Sequence, residues 1–531
     1  MRLHALHVLL ATIALFLGGA ASIAAISLFD RTPREGTIAI GLDTEVRSLD
    51  PQRTTAASDF RVLSSMYEGL VRFAPGSLRV VPGLARAFHV SRDGLTYTFV
   101  LRPGVRFHDG TPCDAEAVRA SFQRMLDPAH PLHRDGPFPF AFFFERIVRI
   151  DAPDARTVVM HLDQPFAPLL SNLAHPAGSI ISPTAARAHG RAFGRHPVGT
   201  GPFRLATWDV RGGIALSRFD RYHDLPAASA TLLFRPVADA MTRTAELRAG
   251  GLDLVTELPA DNVSWFRDAG GFRVHEDHGS HLWFVMLDCA RPPFDDVRVR
   301  RALNLAVDKE AIVAHVLQGT AVVPAGPLSP VFLPTQHDPD DVDVAPYPYD
   351  PDAARKLLAE AGHAEGLHVT LHAPQSGPGM LAPLEMATAI QADLARIGVH
   401  VDVVTHEWNS YLDQVKGGLG PHMEMAEMAW MTHDPDTLPF LALRSDALPP
   451  GGFNSGRYRN VEVDALLERA RRTHDPSLRT QLYREVQAHV HADAPWLFVA
   501  SWKQTLVARD TIHGITLDPS FLLRLARLEK R

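Results

Sequence analysis

LHVTLHAPQSGPGMLAPLEMATAIQADLARIGVHVDVV, residues 367–404, is the stretch whose reading decides the fold. Leu367-His-Val-Thr-Leu371 and Val399-His-Val-Asp-Val-Val404 read as strands, and a helix from about Leu381 to Ile397 connects them, closed by Gly398. Two strands joined through a helix imply a parallel sheet, because a tight hairpin cannot return the chain in the same direction. Such sheets bind ligands in the crevice outside the carboxyl ends of their strands. Two loops satisfy that rule. One is Ala373-Pro-Gln-Ser-Gly-Pro-Gly379, and the other is WMTHDPDTLPF, Trp430–Phe440, which follows the apolar run Met423–Trp430.

Outward from this unit, strand and helix signals alternate. Thr37–Leu42 reads as a first strand, with the turn-like Arg47-Ser-Leu-Asp-Pro51 behind it and a helical pattern over Phe60–Leu70. Tyr97, Phe99 and Leu101 alternate with Thr96, Thr98 and Val100, the period of a half-buried strand. Asp114 is placed to cap a helix carrying Val118, Phe122 and Met125 on one face. Asp127–Phe144 reads as an irregular loop with Phe142–Phe144 filling the core beneath it. The glycines of Gly199-Thr-Gly-Pro-Phe203 suit positions that a side chain would obstruct; no Lys-Ser/Thr follows, so a phosphate-cradling loop is not indicated. Val299, Leu303 and Ala306 mark a further helix, and Asp350-Pro351 caps another that stops at Gly362.

At 531 residues the chain exceeds one ordinary core, so several lobes of mixed α/β structure are expected. A formal charge of −7 and the absence of basic clusters argue against nucleic acid as a partner. Cys113 and Cys289 read as small buried apolar residues. From Leu3 to Phe29 no Asp, Glu, Lys or Arg occurs. Residues 1–29 therefore read as a signal peptide or an N-terminal anchor, and either one places the remainder outside the cytoplasm.

Five segments together resemble the peptide- and nickel-binding receptors of ABC importers, the fifth family of extracellular solute-binding proteins. They are LARAFHVSRDGLTYTFVLRPGVRFHDG (84–110), PVGTGPF (197–203), FDDVRVRRALNLAVDK (294–309), YDPDAARKLLAEAG (349–362) and NVEVDALLERA (460–470). The resemblance spans roughly residues 37–505. It implies a two-lobed periplasmic-binding-protein fold with an additional inserted domain. Lobe I would comprise 37–61, 196–284 and 494–531, with 62–195 inserted; lobe II would be 285–493. Two crossings between lobes would act as a hinge, with a small peptide enclosed between them. The partners implied are a membrane permease and its ATPase, the location is the periplasm, and the chain is expected to act as a monomer without a cofactor.

In this family a tryptophan followed shortly by Asp-Pro lines the cleft, and in the peptide binders an acidic residue holds the ligand's ammonium group. Trp430 and Asp434-Pro435 match, although the separate acid between them is missing and Thr432-His433 fills the interval. The resemblance thus makes Trp430, His433, Asp434, Asp436, Glu45 and Asn454 the candidate substrate-binding residues, with Asp434 or Asp436 as the amine grip. The alternative is that Asp434 caps the turn before Leu438–Leu443. Some relatives bind nickel complexes or haem, so a chelate receptor stands as the second reading. The clusters His275–His281 and His489–His491 are read as scattered surface histidines rather than metal ligands. A secreted hydrolase is the remote third reading. Asp434 and Asp436, one proline apart, are poorly disposed to flank a scissile bond, and no nucleophile elbow accompanies them. No enzyme activity is expected.

Overall fold

Leu367–Pro374 and Val399–His406 pair in parallel, in register from Leu367 opposite Val399 to Pro374 opposite His406. The connecting helix spans Pro383–Ala395, shorter at each end than the sequence pattern suggests. Pro383 takes the first helical turn, where its missing N–H costs nothing, and Gly398 sits at φ +82°, a value that a helix cannot continue through. Met425–Met431 adds a third parallel strand on the other side of Leu367–Pro374. The computed structural model containing this unit describes residues 36–209, 212–333, 344–377, 379–380 and 382–531; the apolar run 1–29 lies outside them. No helix among the described residues is long and apolar enough to cross a membrane.

The parallel unit is one end of a long sheet. Its order continues from Met425–Met431 to His281–Leu287 and then to Trp496–Arg509, a strand of 14 residues. Beyond it come Leu254–Thr256, Thr37–Leu42, Thr231–Pro236, Gly213–Arg218 and Phe203–Asp209. Trp496–Arg509 is the spine. Its residues Trp496 to Ala500 pair with His281–Leu287, whereas Lys503 to Arg509 pair with Phe272–His278 and Leu254–Thr256. The short strand Ala321–Val322 pairs with Ser501 and Trp502 in between.

A separate antiparallel sheet of four strands runs Ala85–Val90, Thr96–Leu101, Thr157–Leu162, Ile147–Asp154. Tyr97, Phe99 and Leu101 point inward, as their period requires. Asp114 caps the helix Ala115–Leu126 by accepting the Ala117 N–H at 3.0 Å, and Val118, Phe122 and Met125 are buried beneath it. From this helix Arg124 reaches Asp50 at 2.6 Å, with both side chains at most 1% exposed. Arg124 also donates to the Gln52 amide oxygen at 3.1 Å. A buried charge pair loses hydration on both sides, so its geometry must be complete. Here it fastens the small sheet's helix to the segment following Thr37–Leu42.

The glycine expectation at 199–203 has a concrete cause. A Cβ on Gly199 would lie 2.2 Å from the Met66 carbonyl oxygen, and one on Gly201 would lie 2.6 Å from the Met66 carbonyl carbon. The strand Phe203–Asp209 therefore begins pressed against the end of helix Ala57–Met66. One expectation needs correcting. Phe143 and Phe144 are buried under the loop at 127–144, but Phe142 is 41% exposed, because the three residues lie on a 3₁₀ turn that cannot direct three consecutive side chains inward.

Buried apolar side chains gather in separate clusters on either side of the spine and under the small sheet. Among the buried ionisable groups, one carboxyl stands out. Glu427, in the middle of Met425–Met431, is 1% exposed, and neither carboxyl oxygen has a hydrogen-bond partner among the described residues. It faces the same core as Met425, opposite Val285, and burial raises its pKa well above the ordinary carboxyl range. A carboxyl with a raised folded-state pKa costs stability as pH rises from the unfolded value towards the folded one. Glu427→Met is therefore expected to stabilise the fold at pH 8 by about 1–3 kcal/mol, and by less at pH 4.5, in denaturant titrations. An equal effect at both pH values would contradict this.

Candidate functional site

The carboxyl end of Met425–Met431 is held by Thr432, whose N–H donates to the Ser280 carbonyl at 3.1 Å. A tight turn follows. The Asp434 Oδ1 accepts the Asp436 N–H at 2.9 Å, and its carbonyl accepts the Thr437 N–H at 3.3 Å, after which the helix Thr437–Ala442 begins. Asp434 thus does the turn-building expected of an Asp before a short helix.

It also does more. Arg479, from helix Pro476–Asp493, forks onto Asp434, donating through Nη1 to Oδ2 at 3.1 Å and through Nη2 to Oδ1. The Ser171 hydroxyl donates to Oδ2 at 2.8 Å. Ser171 lies on helix Leu169–Ala174, which packs on the small sheet's core, so Asp434 joins two different parts of the molecule. Burial pushes the Asp434 carboxyl upward, but the Arg479 charge and its hydrogen bonds outweigh burial and hold the pKa below the ordinary value. Asp436 is paired with Arg471 at 3.0 Å and accepts from the Tyr483 hydroxyl at 3.3 Å. There burial and the neighbouring Asp434 charge prevail, and the pKa is raised. Both carboxylates expected to grip a ligand's amine are thus engaged with the chain's own cations in this conformation.

The remaining candidates divide. Trp430 is half-buried at the end of its strand, edge-on to Phe453 at 5.3 Å between ring centroids. Phe453 is 40% exposed, so the indole sits at the border of core and surface. The His433 ring stacks on His175 at 4.3 Å and approaches Phe73 at 6.3 Å. Its Nδ1 is sealed from solvent with no hydrogen-bond partner among the described residues, and burial lowers its pKa to about 4. Asn454 is 1% exposed; its Nδ2 donates to the carbonyls of Arg444 and Tyr458, and its Oδ1 accepts the Tyr458 N–H at 3.0 Å. Its amide braces a turn, with both Nδ2 hydrogens used, and burial keeps it from a ligand in this conformation. Glu45 is exposed beyond the carboxyl end of Thr37–Leu42, with no hydrogen-bond or ion-pair partner among the described residues. It lines a cavity of about 180 Å³ with Arg47, Arg195 and Trp208, where the Arg195 guanidinium lies 3.8 Å over the indole.

A second cavity, about 370 Å³, lies between the end of helix Ala57–Met66, the strand Val71–Phe73 and the chain at 514–527. Phe73 forms part of its wall and also approaches the His433 ring. The histidine clusters read from the sequence diverge. His281 stacks flat on Trp502 at 4.4 Å, His491 stacks on Tyr347, and His489 faces Glu462. Among the described residues no group of three or more His, Cys, Asp or Glu could hold a metal ion.

Sequence reasoning missed Ser171, His175, Arg471 and Arg479, which meet the loop from distant positions. Helices 461–472 and 476–493 each carry as many acidic as basic residues, so nothing in their composition marked Arg471 and Arg479 as partners for its acids. Arg479→Met, which strands the Asp434 charge, is expected to cost about 2–4 kcal/mol in urea unfolding, Arg479 keeping some exposure. Adding Asp434→Asn should recover part of that loss; strict additivity of the two would contradict the pairing.

Comparison with known proteins agrees with this architecture. The family described as bacterial extracellular solute-binding proteins, family 5 Middle, matches residues 79–447. The glutathione-binding protein GsiB of Pectobacterium atrosepticum is 30% identical over 499 residues, covering 92% of this chain and 93% of the relative. The structure of HbpA2 from Haemophilus parasuis superposes with a TM-score of 0.83 at 28% identity, covering 93% of this chain and all of that one (100%). A dipeptide binding protein from Pseudoalteromonas sp. SM9913 in complex with Met-Leu superposes with a TM-score of 0.77 at 26% identity, again over 93% of this chain and 100% of that one. The fold is the two-lobed periplasmic-binding-protein fold, and the chain belongs to family 5 of the bacterial extracellular solute-binding proteins.

Proposed function

We propose that this chain is an extracytoplasmic receptor of an ABC importer. In this reading it captures a small peptide between two hinged lobes and passes it unaltered, as a monomer, to a membrane permease driven by its ATPase. The observation that carries the reading is the Trp430–Asp436 loop. It leaves the carboxyl end of a strand in one part of the molecule and meets Ser171, His175 and Phe73 of another. A ligand touching both sides would stabilise the closed arrangement in proportion to the contacts that it makes only there. The relatives named for glutathione and dipeptides support small peptides as the cargo class.

The charge arrangement refines the grip. With Asp434 and Asp436 engaged by Arg479 and Arg471, Glu45 is the candidate acid left free to meet a ligand's ammonium group. Trp430 offers an apolar wall, and main-chain hydrogen bonds hold an extended peptide without regard to its sequence. The lobes turn about the crossings near residues 278–281 and 500–503, where the spine strand exchanges partners.

Calorimetry with reduced glutathione, Met-Leu, N-acetyl-Met-Leu and the nickel–histidine complex tests this. A charge-assisted hydrogen bond contributes about 1.5–3 kcal/mol, so Met-Leu is expected to bind roughly tenfold or more tightly than its N-acetyl form. Glu45→Gln should erase the difference. Equal binding of both forms by the wild type would contradict the grip. Binding of nickel–histidine and neither peptide would replace peptides by a chelate as cargo.

A further inference from the structure

His175 and His433 lie face to face, ring centroids 4.3 Å apart and planes 27° apart. His175 follows helix Leu169–Ala174, whereas His433 sits on the loop beyond Met425–Met431. Phe60 and Phe140 close on His175 at 5.0 Å, and Phe143 at 5.4 Å. The His175 Nδ1 accepts the Ala177 N–H at 3.1 Å, which assigns its proton to Nε2 and keeps the ring neutral. His433 retains part of its surface in solvent, but its Nδ1 is sealed and has no partner among the described residues. Neutral His433 satisfies this geometry with its proton on Nε2. A second proton would place an N–H donor at Nδ1 with nothing to accept it, against another imidazole.

The surrounding charges do not rescue such a cation. On the same loop, Asp434 favours a proton on His433, but it is already paired with Arg479 from helix Pro476–Asp493. Asp436 is paired with Arg471 from helix Val461–Arg472. On the facing side, Arg524 bonds the Phe73 carbonyl and is matched by Asp518, and Arg72 adjoins Phe73 as a further positive charge. Ser171 gives its hydroxyl hydrogen to Asp434.

The geometry points to a proton-linked latch: the lobes close with neutral His433 stacked on His175, and proton uptake by His433 opens them, releasing cargo in acid. The latch rests on the proposed reading of the lobes as closing jaws. The direction follows from linkage. His433 is depressed to about 4 in the stacked arrangement, which the latch takes as the closed form, against about 6.5 for a free imidazole. Closure is therefore fully favoured above pH 6.5 and progressively lost as pH falls towards 4.

The test is calorimetry of the full chain with glutathione and Met-Leu at pH 6.0, in phosphate and in bis-Tris, whose ionisation enthalpies differ. Binding is expected to release about 0.7 proton at pH 6.0 and close to none from His433 at pH 7.5. Affinity should be roughly tenfold or more weaker at pH 5 than at pH 7.5. His433→Gln should remove the release at pH 6.0; should that variant not fold, the wild-type proton count decides alone. Binding without proton release at pH 6.0 overturns the latch while leaving the peptide reading standing. No heat from either peptide at pH 7.5 removes the peptide reading, and the latch with it.

Discussion

The hydrogen-bonding demand of one strand organises this molecule. Every backbone N–H and C=O in Trp496–Arg509 needs a partner, and no single neighbour serves all 14 residues. The first part satisfies itself against His281–Leu287, the last part against Phe272–His278 and Leu254–Thr256, with Ala321–Val322 filling the step between. The ladders on either side of that step resist distortion, so in the proposed two-lobed motion the exchange point is the place where movement preserves both. There Trp502 stacks on His281 at 4.4 Å and meets Trp283 edge-on at 5.8 Å, packing aromatic rings where the two ladders join.

From this constraint the placement of the candidate site follows. Strands Thr37–Leu42 and Met425–Met431 lie on opposite sides of the spine, and the segments leaving their carboxyl ends carry Glu45 and Trp430–Asp436. The electrostatics of that region are conservative. Asp434 meets Arg479, Asp436 meets Arg471, and Asp50 meets Arg124, so these three carboxylates, withdrawn from water, find their opposites within the chain. An acid near Trp430 is therefore not by that fact available to a ligand. Among the described residues, what distinguishes Glu45 is the lack of a partner, and what distinguishes His433 is a sealed nitrogen without one.

Much of the fold was legible because it is local. Asp114, Asp350 and Gly398 announce helix ends through rules that act within a turn, and the alternation at 96–101 reports which face is buried. The parallel unit at 367–404 could be read because its two strands and its helix are contiguous. The site was legible only in outline. Trp430 and the Asp-Pro turn could be located, but the arginines that neutralise the turn's acids stand 35 and 45 positions away in sequence. Nor could spacing reveal that Asn454 is consumed by its own turn, or that His433 meets a second histidine from another part of the chain. Glu427 illustrates the converse: one carboxyl in an apolar strand leaves the fold intact, since surrounding burial outweighs its cost.

The central claim is that two lobes close upon a small cargo. Small-angle X-ray scattering of the full chain, without and with saturating amounts of whichever peptide binds calorimetrically, tests it most directly. The account predicts a smaller radius of gyration and a contracted distance distribution in the bound form. Superimposable scattering curves at proven saturation would contradict it.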